Sequence, residues 1–257
     1  MAGYLLITHG ESGKSIMPLK DYAPSFFKRL YRAFPVRIQI LRKRPQYFLT
    51  RYDYQQRYIE FQIKPGDKVL DIGSGNEPFP HATLLADRYI EPTHHRTTEF
   101  QSDGKPIIIT DVDHLPFANN SFDYVYCAHL FEHVEDPIRA CAEVMRVGKR
   151  GYIETPTLAK DMLFAWAKGM HKWHLININH NLCFFEYSER QLEGIGSRTW
   201  RDIVRGRWHH PLQESLYDNQ DLFNMMFTWE DKFSVFVFYL DGSVHTLRQD
   251  KPTLTMA

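Results

Sequence analysis

Between residues 61 and 156, short apolar runs alternate with polar turns. DKVLD (67–71), ATLLAD (82–87), PIIIT (106–110), FDYVYC (122–127) and GYIET (151–155) each hold a few consecutive buried-type side chains. Runs of this length read as strands with both faces covered. Between the fourth and fifth runs the spacing changes to that of a helix. Asp136 suits an N-cap and Pro137 the first helical position, while Ile138, Cys141, Val144 and Met145 fall on one face. Gly148 to Gly151 then serve as the exit turn. Strands alternating with a helical period predict an α/β fold with a parallel sheet. Near the end the two-residue period returns. NMMFTWE (224–230) and KFSVFVFYL (232–240) meet at Asp231–Lys232, and Asp241–Gly242 supply a further turn. The expectation is a mostly parallel sheet of seven strands that finishes in an antiparallel hairpin.

Two stretches break this rhythm. From Ala23 to Tyr52 there is no acid, yet Lys28, Arg29, Arg32, Arg37, Arg42, Lys43, Arg44 and Arg51 are present. Phe26, Phe27, Leu30, Tyr31 and Phe34 recur among them at helical spacing until Pro35 interrupts. Residues 1–60 are read as a basic N-terminal helical arm. It is either a solvated helix face packed over the core or a contact for phosphate, nucleic acid or an anionic membrane surface. Residues 61–257 form the main domain. Within it, 157–222 shows few strand signals and is rich in His, Trp and Asn. It leaves the fifth strand and must return for the last hairpin, so it is expected to be an inserted lid. Trp166, Trp173, Phe184, Phe185 and Trp200 would supply its apolar walls, and His171, His174 and Asn177 its polar contacts.

Composition narrows the class without changing this picture. Of 257 residues, 43% are hydrophobic and 24% charged, which excludes wholesale disorder. Lys+Arg 31 balances Asp+Glu 31, so no global field favours nucleic acid. The longest apolar run, Phe233 to Leu240, is far short of the ~18 residues of a spanning helix. The first residues lack a basic segment followed by a long apolar one, so a cytoplasmic location is expected. Cys127, Cys141 and Cys183 share no close spacing, which excludes a CxxC metal knuckle and a disulfide framework.

The chemistry concentrates where strands end. Val69-Leu70-Asp71-Ile72-Gly73-Ser74-Gly75 places glycines directly after a buried strand, where the backbone can turn sharply and approach a ligand. Asp87 closes the second strand, where an acid can accept from a ribose diol. Asp111 closes the third and is followed by Val112, where an acid and a backbone N–H can read an adenine edge. All these ends lie on the carboxyl side of one sheet.

DIGSG, then DVDHLPFANNSFDYV, then HLFEHVEDPIRACAEVMRV together resemble the class I S-adenosylmethionine-dependent methyltransferases, in the type 11-like subgroup built around an LPF…FD…EHV pattern. The resemblance covers about residues 64–156 and implies a Rossmann-like sheet with S-adenosylmethionine as cofactor. It places Asp71, Gly73, Ser74 and Gly75 around the methionine moiety, Asp87 at the ribose, and Asp111 with Val112 at the adenine. Cys127 and Ala128 with His129 would line the wall near the sulfonium. The chain departs from the pattern at Asn76-Glu77-Pro78-Phe79-Pro80, where two prolines forbid a normal helix start. The first crossover is therefore read as a short loop, with Asp87 as the ribose acid. If 81–88 were a helix, Glu91 would take that role.

The resemblance implies methyl transfer but not its acceptor. A hydroxyl acceptor must lose a proton, and histidine is the usual agent near neutral pH. His129, His171 and His174 are the candidates, in that order. Glu132 and His133 are expected to hold the turn before Asp136. The expected acceptor is a small molecule or glycan, with O, N and C acceptors left open. An RNA methyltransferase using the basic arm, and a non-catalytic cofactor-binding protein, are the other readings. The run from His171 and His174 through His180 to Cys183 does not match a closed zinc site, so no metal is expected.

Overall fold

A computed structural model describes residues 50–91, 99–163, 169–193, 215–216 and 218–249, and by backbone alone residues 4–7, 15–18 and 164. The basic run over 23–49, Trp166 and Trp200 lie outside the described residues. The chain divides into two compact units, residues 1–46 with 207–210, and residues 47–206 with 211–257. In the first unit, β1 (Tyr4–Ile7) pairs antiparallel with β2 (Ser15–Pro18).

The second unit opens with a short helix, α1 (Arg51–Gln55), which Thr50 caps through its side chain in a reciprocal box with Asp53. The strands follow as β3 (Val69–Ile72), β4 (Leu84–Asp87), β5 (Ile107–Ile109), β6 (Tyr124–Ala128) and β7 (Arg150–Pro156). Then come β8 (Trp173–Ile178), β9 (Asn181–Glu186), β10 (Asn224–Glu230), β11 (Val235–Phe238) and β12 (Val244–Leu247). The main sheet has the order β10-β7-β6-β3-β4-β5. Its first five strands in sequence are parallel, and β10 runs antiparallel against β7 at the edge. The fold is thus α/β and Rossmann-like, with six strands rather than seven.

The missing strand is β11. Phe233 is buried against Phe227 and Trp229, with ring centroids at 5.1 and 5.6 Å, and its N–H points at Met145 Sδ. This wedge turns the chain away from the sheet edge, so β10 and β11 do not form the expected hairpin. Instead β11 runs parallel to β9 and antiparallel to β12. The result is a second sheet of order β12-β11-β9-β8. Its β8–β9 hairpin lies inside the stretch expected to be a lid. Asn179 and His180 both take positive φ, 49° and 61°, the twist that a two-residue hairpin turn requires.

The two faces of the main sheet bury different partners. On one, Leu70, Ile72, Val125, Cys127 and Ile153 meet α2 (Pro137–Val147) and the second sheet, including Trp173, Phe184, Val235 and Val237. Asp136 caps α2 as expected, its side chain accepting from Arg139 N at 3.0 Å. On the other face, Val69, Leu85, Tyr124, Tyr126 and Tyr152 meet Phe61 and Phe79. Phe79 stacks flat on Tyr126, 4.1 Å between ring centroids. The Pro-Phe-Pro loop therefore covers, with one aromatic side chain, the face that a crossover helix would otherwise cover. Gly148 and Gly151 are demanded by space. A Cβ at the first would strike the Val125 side chain, and at the second the Val125 carbonyl. Among the described residues, no helix is long and apolar enough to cross a membrane.

Candidate functional site

The glycine loop leaves β3 at the carboxyl end of the sheet. Gly73 and Gly75 have φ of 73° and 58°, a region costly for residues with a Cβ. Gly73 N–H donates to Ala86 O at 2.8 Å, and Gly75 N–H donates to Asp87 Oδ2 at 3.0 Å. Asp87 is thus tied to the loop from the end of β4, as the short crossover requires. Asp71 lies beneath the loop, 1% exposed, and accepts from Phe79 N–H at 2.8 Å. Burial, aided by the charge of Asp87, pushes its carboxyl up to about 7 despite that hydrogen bond and the positive charges of Arg51 and Lys105. Asp71 Oδ1 and Ser74 Oγ are buried without a hydrogen-bond partner. Ser74 lines the cavity over this loop, where a ligand's donor or acceptor would complete its Oγ, whereas Asp71, expected at the methionine moiety, is not among the lining residues.

A cavity of about 730 Å³ opens over this loop. Gly73, Ser74, Gly75, Asp87, Asp111, Val112 and Ala128 line it. Asp111 is held by Arg88 at 2.9 Å. Cys127 does not line the cavity. Successive residues of β6 face opposite ways, so Cys127 enters the core on the α2 side while Ala128 faces the other. Burial pushes the Cys127 thiol well above its usual value. Glu91 is exposed and outside the cavity lining.

The far end of the cavity is built from side chains. His129 follows β6 with φ of 57°, and its N–H donates to Glu154 O at 2.8 Å. Its Nδ1 lies 3.5 Å from Glu132 Oε1 and its Nε2 3.3 Å from Glu154 Oε1. Both ring nitrogens therefore face carboxylates, which suits a positioning role more than proton abstraction. Glu154 is fully buried in β7 and accepts from Tyr54, Tyr152 and, at 2.8 Å, Gln55 Nε2. Burial opposes its charge, yet the His129 hydrogen bond and charge, with the two tyrosines, hold its carboxyl at about 2.

Phe131–His133 form a single 3-10 turn that presents Glu132 and His133. Glu132 is 1% exposed. Burial again opposes ionisation, but the His129 hydrogen bond and the neighbouring His133, His129 and His171 hold its carboxyl at about 2. His133 Nδ1–H donates to Met170 O at 2.9 Å. His171 Nδ1–H donates to Asp161 Oδ2 at 2.7 Å, and Tyr187 OH donates to the same oxygen at 2.8 Å. Asp161 sits in α3 (Leu158–Phe164). Burial disfavours the His171 cation, but Asp161 and Glu132 outweigh it and raise the imidazole above its ordinary value. Lys160, half-buried and lining the cavity, is pulled down by desolvation and donates to Asn224 Oδ1 at 2.6 Å.

Of the three candidate histidines, His129 and His171 enter the cavity wall and His174 does not. His174 belongs to β8, where its ring stacks on Phe185 at 5.2 Å. Trp173 and Phe184, expected as lid walls, are fully buried in the core instead. Sequence reasoning missed Glu154, Asp161 and Lys160. An acid in the middle of the apolar GYIET strand was the one available signal, since a charge there must be paired.

Residues 70–153 match the family model of the methyltransferase domain. The chain is 29% identical over 115 residues to sterol 24-C-methyltransferase erg6 of Schizosaccharomyces pombe, covering 40% of this chain and 30% of that protein. A complex between the Haloferax volcanii Trm112 methyltransferase activator and a provisionally assigned methyltransferase aligns at 17% identity and TM-score 0.35, over 46% of this chain and 65% of that one. A SAM-dependent methyltransferase from Aquifex aeolicus aligns at 17% identity and TM-score 0.30, over 41% and 65%. The chain spans less than two thirds of the length of each. Residues 70–153 are a class I S-adenosylmethionine-dependent methyltransferase domain of type 11.

Proposed function

We propose that this chain transfers a methyl group from S-adenosylmethionine to a hydroxyl of a small-molecule or glycan acceptor. The observation that carries the reading is one continuous cavity. It joins the glycine loop, with its unpartnered Ser74 Oγ, to the Glu132–His133–His171 end. Ser74, Gly75, Asp87, Asp111 and Val112 would hold the cofactor. When bound, it would supply a methyl on a sulfonium, the carbon–sulfur bond breaking as the acceptor oxygen–carbon bond forms and the hydroxyl proton passing to solvent.

The protein's contribution is placement. Gly73 and Gly75 let the backbone approach the ligand closely, and Asp87 fixes the loop through Gly75 N–H. Glu154 and Glu132 hold His129 from both sides and so shape the wall between the two ends. The acceptor's oxygen is received at the histidine end, where a polar group finds imidazole and carboxylate partners. The sterol relative is named for a carbon acceptor. The clustering of imidazole and carboxylate here supports an oxygen acceptor instead. The RNA reading rests on the basic run over 23–49 and draws no support from the described residues.

The test uses S-adenosylmethionine labelled in its methyl group and a pooled extract of metabolites and glycans. Label should appear in O-methyl groups of small products, detected by mass spectrometry, with release of S-adenosylhomocysteine. Tight cofactor binding with no label in any fraction would support the non-catalytic binding protein instead.

A further inference from the structure

We propose that Glu132, His133 and His171 bind a divalent metal ion of the zinc, iron or manganese type at the far end of the cavity. One ligand atom from each lies within 4.8 Å of the others. Ligands about 2.0–2.2 Å from a shared cation sit roughly 3–4 Å apart, so a small inward movement closes the site. His133 and His171 stand 38 positions apart in sequence, which is why spacing alone gave no metal signal.

Three features go beyond proximity. Both imidazoles are already oriented by a hydrogen bond at Nδ1. Asp161 accepts from His171 Nδ1–H at 2.7 Å, and the Met170 carbonyl accepts from His133 Nδ1–H at 2.9 Å. In the neutral ring each Nε2 is thereby the lone-pair nitrogen, the arrangement that orients histidine ligands around metals. His133 Nε2 already turns toward Glu132 Oε1, 3.8 Å away. The Glu132 carboxylate is 99% removed from solvent and lines the cavity, yet its Oε2 has no hydrogen-bond partner. A buried anionic oxygen without a partner is costly, and a cation is the partner that two nearby imidazoles would share with it.

The donor set selects the ion. Two nitrogens and one carboxylate, with no thiolate, suit zinc, iron or manganese better than calcium, which takes six or more oxygens. Three protein ligands leave coordination positions open toward the cavity. An acceptor hydroxyl bound there would lose its proton to water more readily, because the cation stabilises the oxyanion. This use of the ion rests on the methyl-transfer reading, whereas its binding does not.

The experiment takes the full chain, stripped with a chelator, and titrates it with Co²⁺ while recording visible absorption. S-adenosylmethionine binding is followed in parallel by calorimetry. We expect one Co²⁺ per chain, with bands of mixed nitrogen and oxygen ligation that Zn²⁺ displaces. His133→Asn and His171→Asn should each abolish the bands. Asp161→Asn, which only loosens the His171 orientation, should weaken binding by about 10–100-fold. Circular dichroism checks that each variant is folded, and the unmodified chain alone carries the test if one is not. No Co²⁺ bands in a folded chain that binds S-adenosylmethionine would overturn the inference, as would bands that survive in both histidine variants. Co²⁺ binding without S-adenosylmethionine binding would uphold the metal site and overturn the methyl-transfer reading.

Discussion

The two ends of the cavity are built on opposite principles. At the glycine-loop end the working groups are backbone amides and strand-terminal acids, all drawn from short contiguous pieces of sequence. Gly73 and Gly75 follow β3 directly, and Asp87 and Asp111 close or follow the next two strands. At the histidine end the groups are side chains gathered from four places, of which His129, Glu132 and His171 line the cavity while Glu154 and Asp161 hold the imidazoles from behind. His129 and Glu132 come from the turn after β6, Glu154 from β7, Asp161 from α3 and His171 from the loop before β8. A site made of backbone is specified locally, because only certain residues permit its turns. A site made of side chains exists only once the core has brought its pieces together. It is therefore the more exposed of the two to loss of a single packing partner.

That contrast is broken most severely at Glu154. Its carboxylate receives Tyr54, Tyr152 and Gln55 and faces His129, all in a buried setting. Removing one member of a buried charged network typically costs about 3–5 kcal/mol. Glu154→Ala should therefore lower the free energy of unfolding by about that much, measured by urea denaturation. A loss under about 1 kcal/mol, the scale of an ordinary surface pair, would show that the histidine end is not held by this network.

The glycine-loop end has its own buried acid, and its signature is pH dependence. Asp71 ionises near 4 in an unfolded chain but at about 7 in the fold. Between those values the folded state keeps a proton that the unfolded state has released, so stability falls as pH rises from about 4 to 7. The groups facing Asp71 are Arg51 from α1, Asp87 from β4, Lys105 from the loop before β5, and Tyr126 and Cys127 from β6. Asp71→Asn keeps an acceptor for Phe79 N–H and removes the charge. It should raise the thermal midpoint at pH 8, by an amount on the order of a few kcal/mol in stability, and give no gain at pH 4. An equal effect at both pH values would mean that the carboxyl is ionised normally.

A smaller effect separates the two acids of the second crossover. Asp87 binds the loop through Gly75 N–H and lines the cavity, whereas Glu91 is exposed outside it. Losing one partner of a ligand hydrogen bond costs about 1–3 kcal/mol, so Asp87→Ala should weaken S-adenosylmethionine binding roughly tenfold or more. Glu91→Ala should leave the calorimetric affinity unchanged. The reverse pattern would show that the ribose is held from beyond β4.

What could be read from the sequence follows the same division. The five parallel strands, the Asp136 cap and the helix-free first crossover were legible, because each depends on neighbours within a few residues. The second sheet was not. Its parallel β9–β11 pair joins segments about fifty residues apart, and what diverts β11 is the burial of Phe233 against distant side chains. Cys127 and Ala128 show the same limit at the smallest scale. Both belong to the strand end that the resemblance pointed to, but strand parity sends only Ala128 into the cavity. Pro78 and Pro80 announced that no helix would form. Nothing local announced that Phe79 would lie flat on Tyr126 in its place.

The finest test concerns His174, which the sequence set beside His171 as a candidate for the same chemistry. Only two residues separate them, yet they belong to different environments. His171 precedes β8 and lines the cavity, its Nδ1–H fixed by Asp161. His174 lies within β8, where the side chains of a strand alternate and its neighbours are set by the second sheet. Its ring stacks on Phe185 and tilts against Tyr187, and burial lowers its pKa. Its Nδ1 is buried without a partner, so the imidazole is held by packing alone at that atom. His174→Phe should therefore preserve the aromatic stack and leave kcat/KM for methyl transfer unchanged, while His171→Asn at the cavity wall reduces it. Steady-state kinetics on the two variants decides the matter. A loss of turnover in His174→Phe matching that of His171→Asn would place the second sheet in the site, and the division between the two environments would fail.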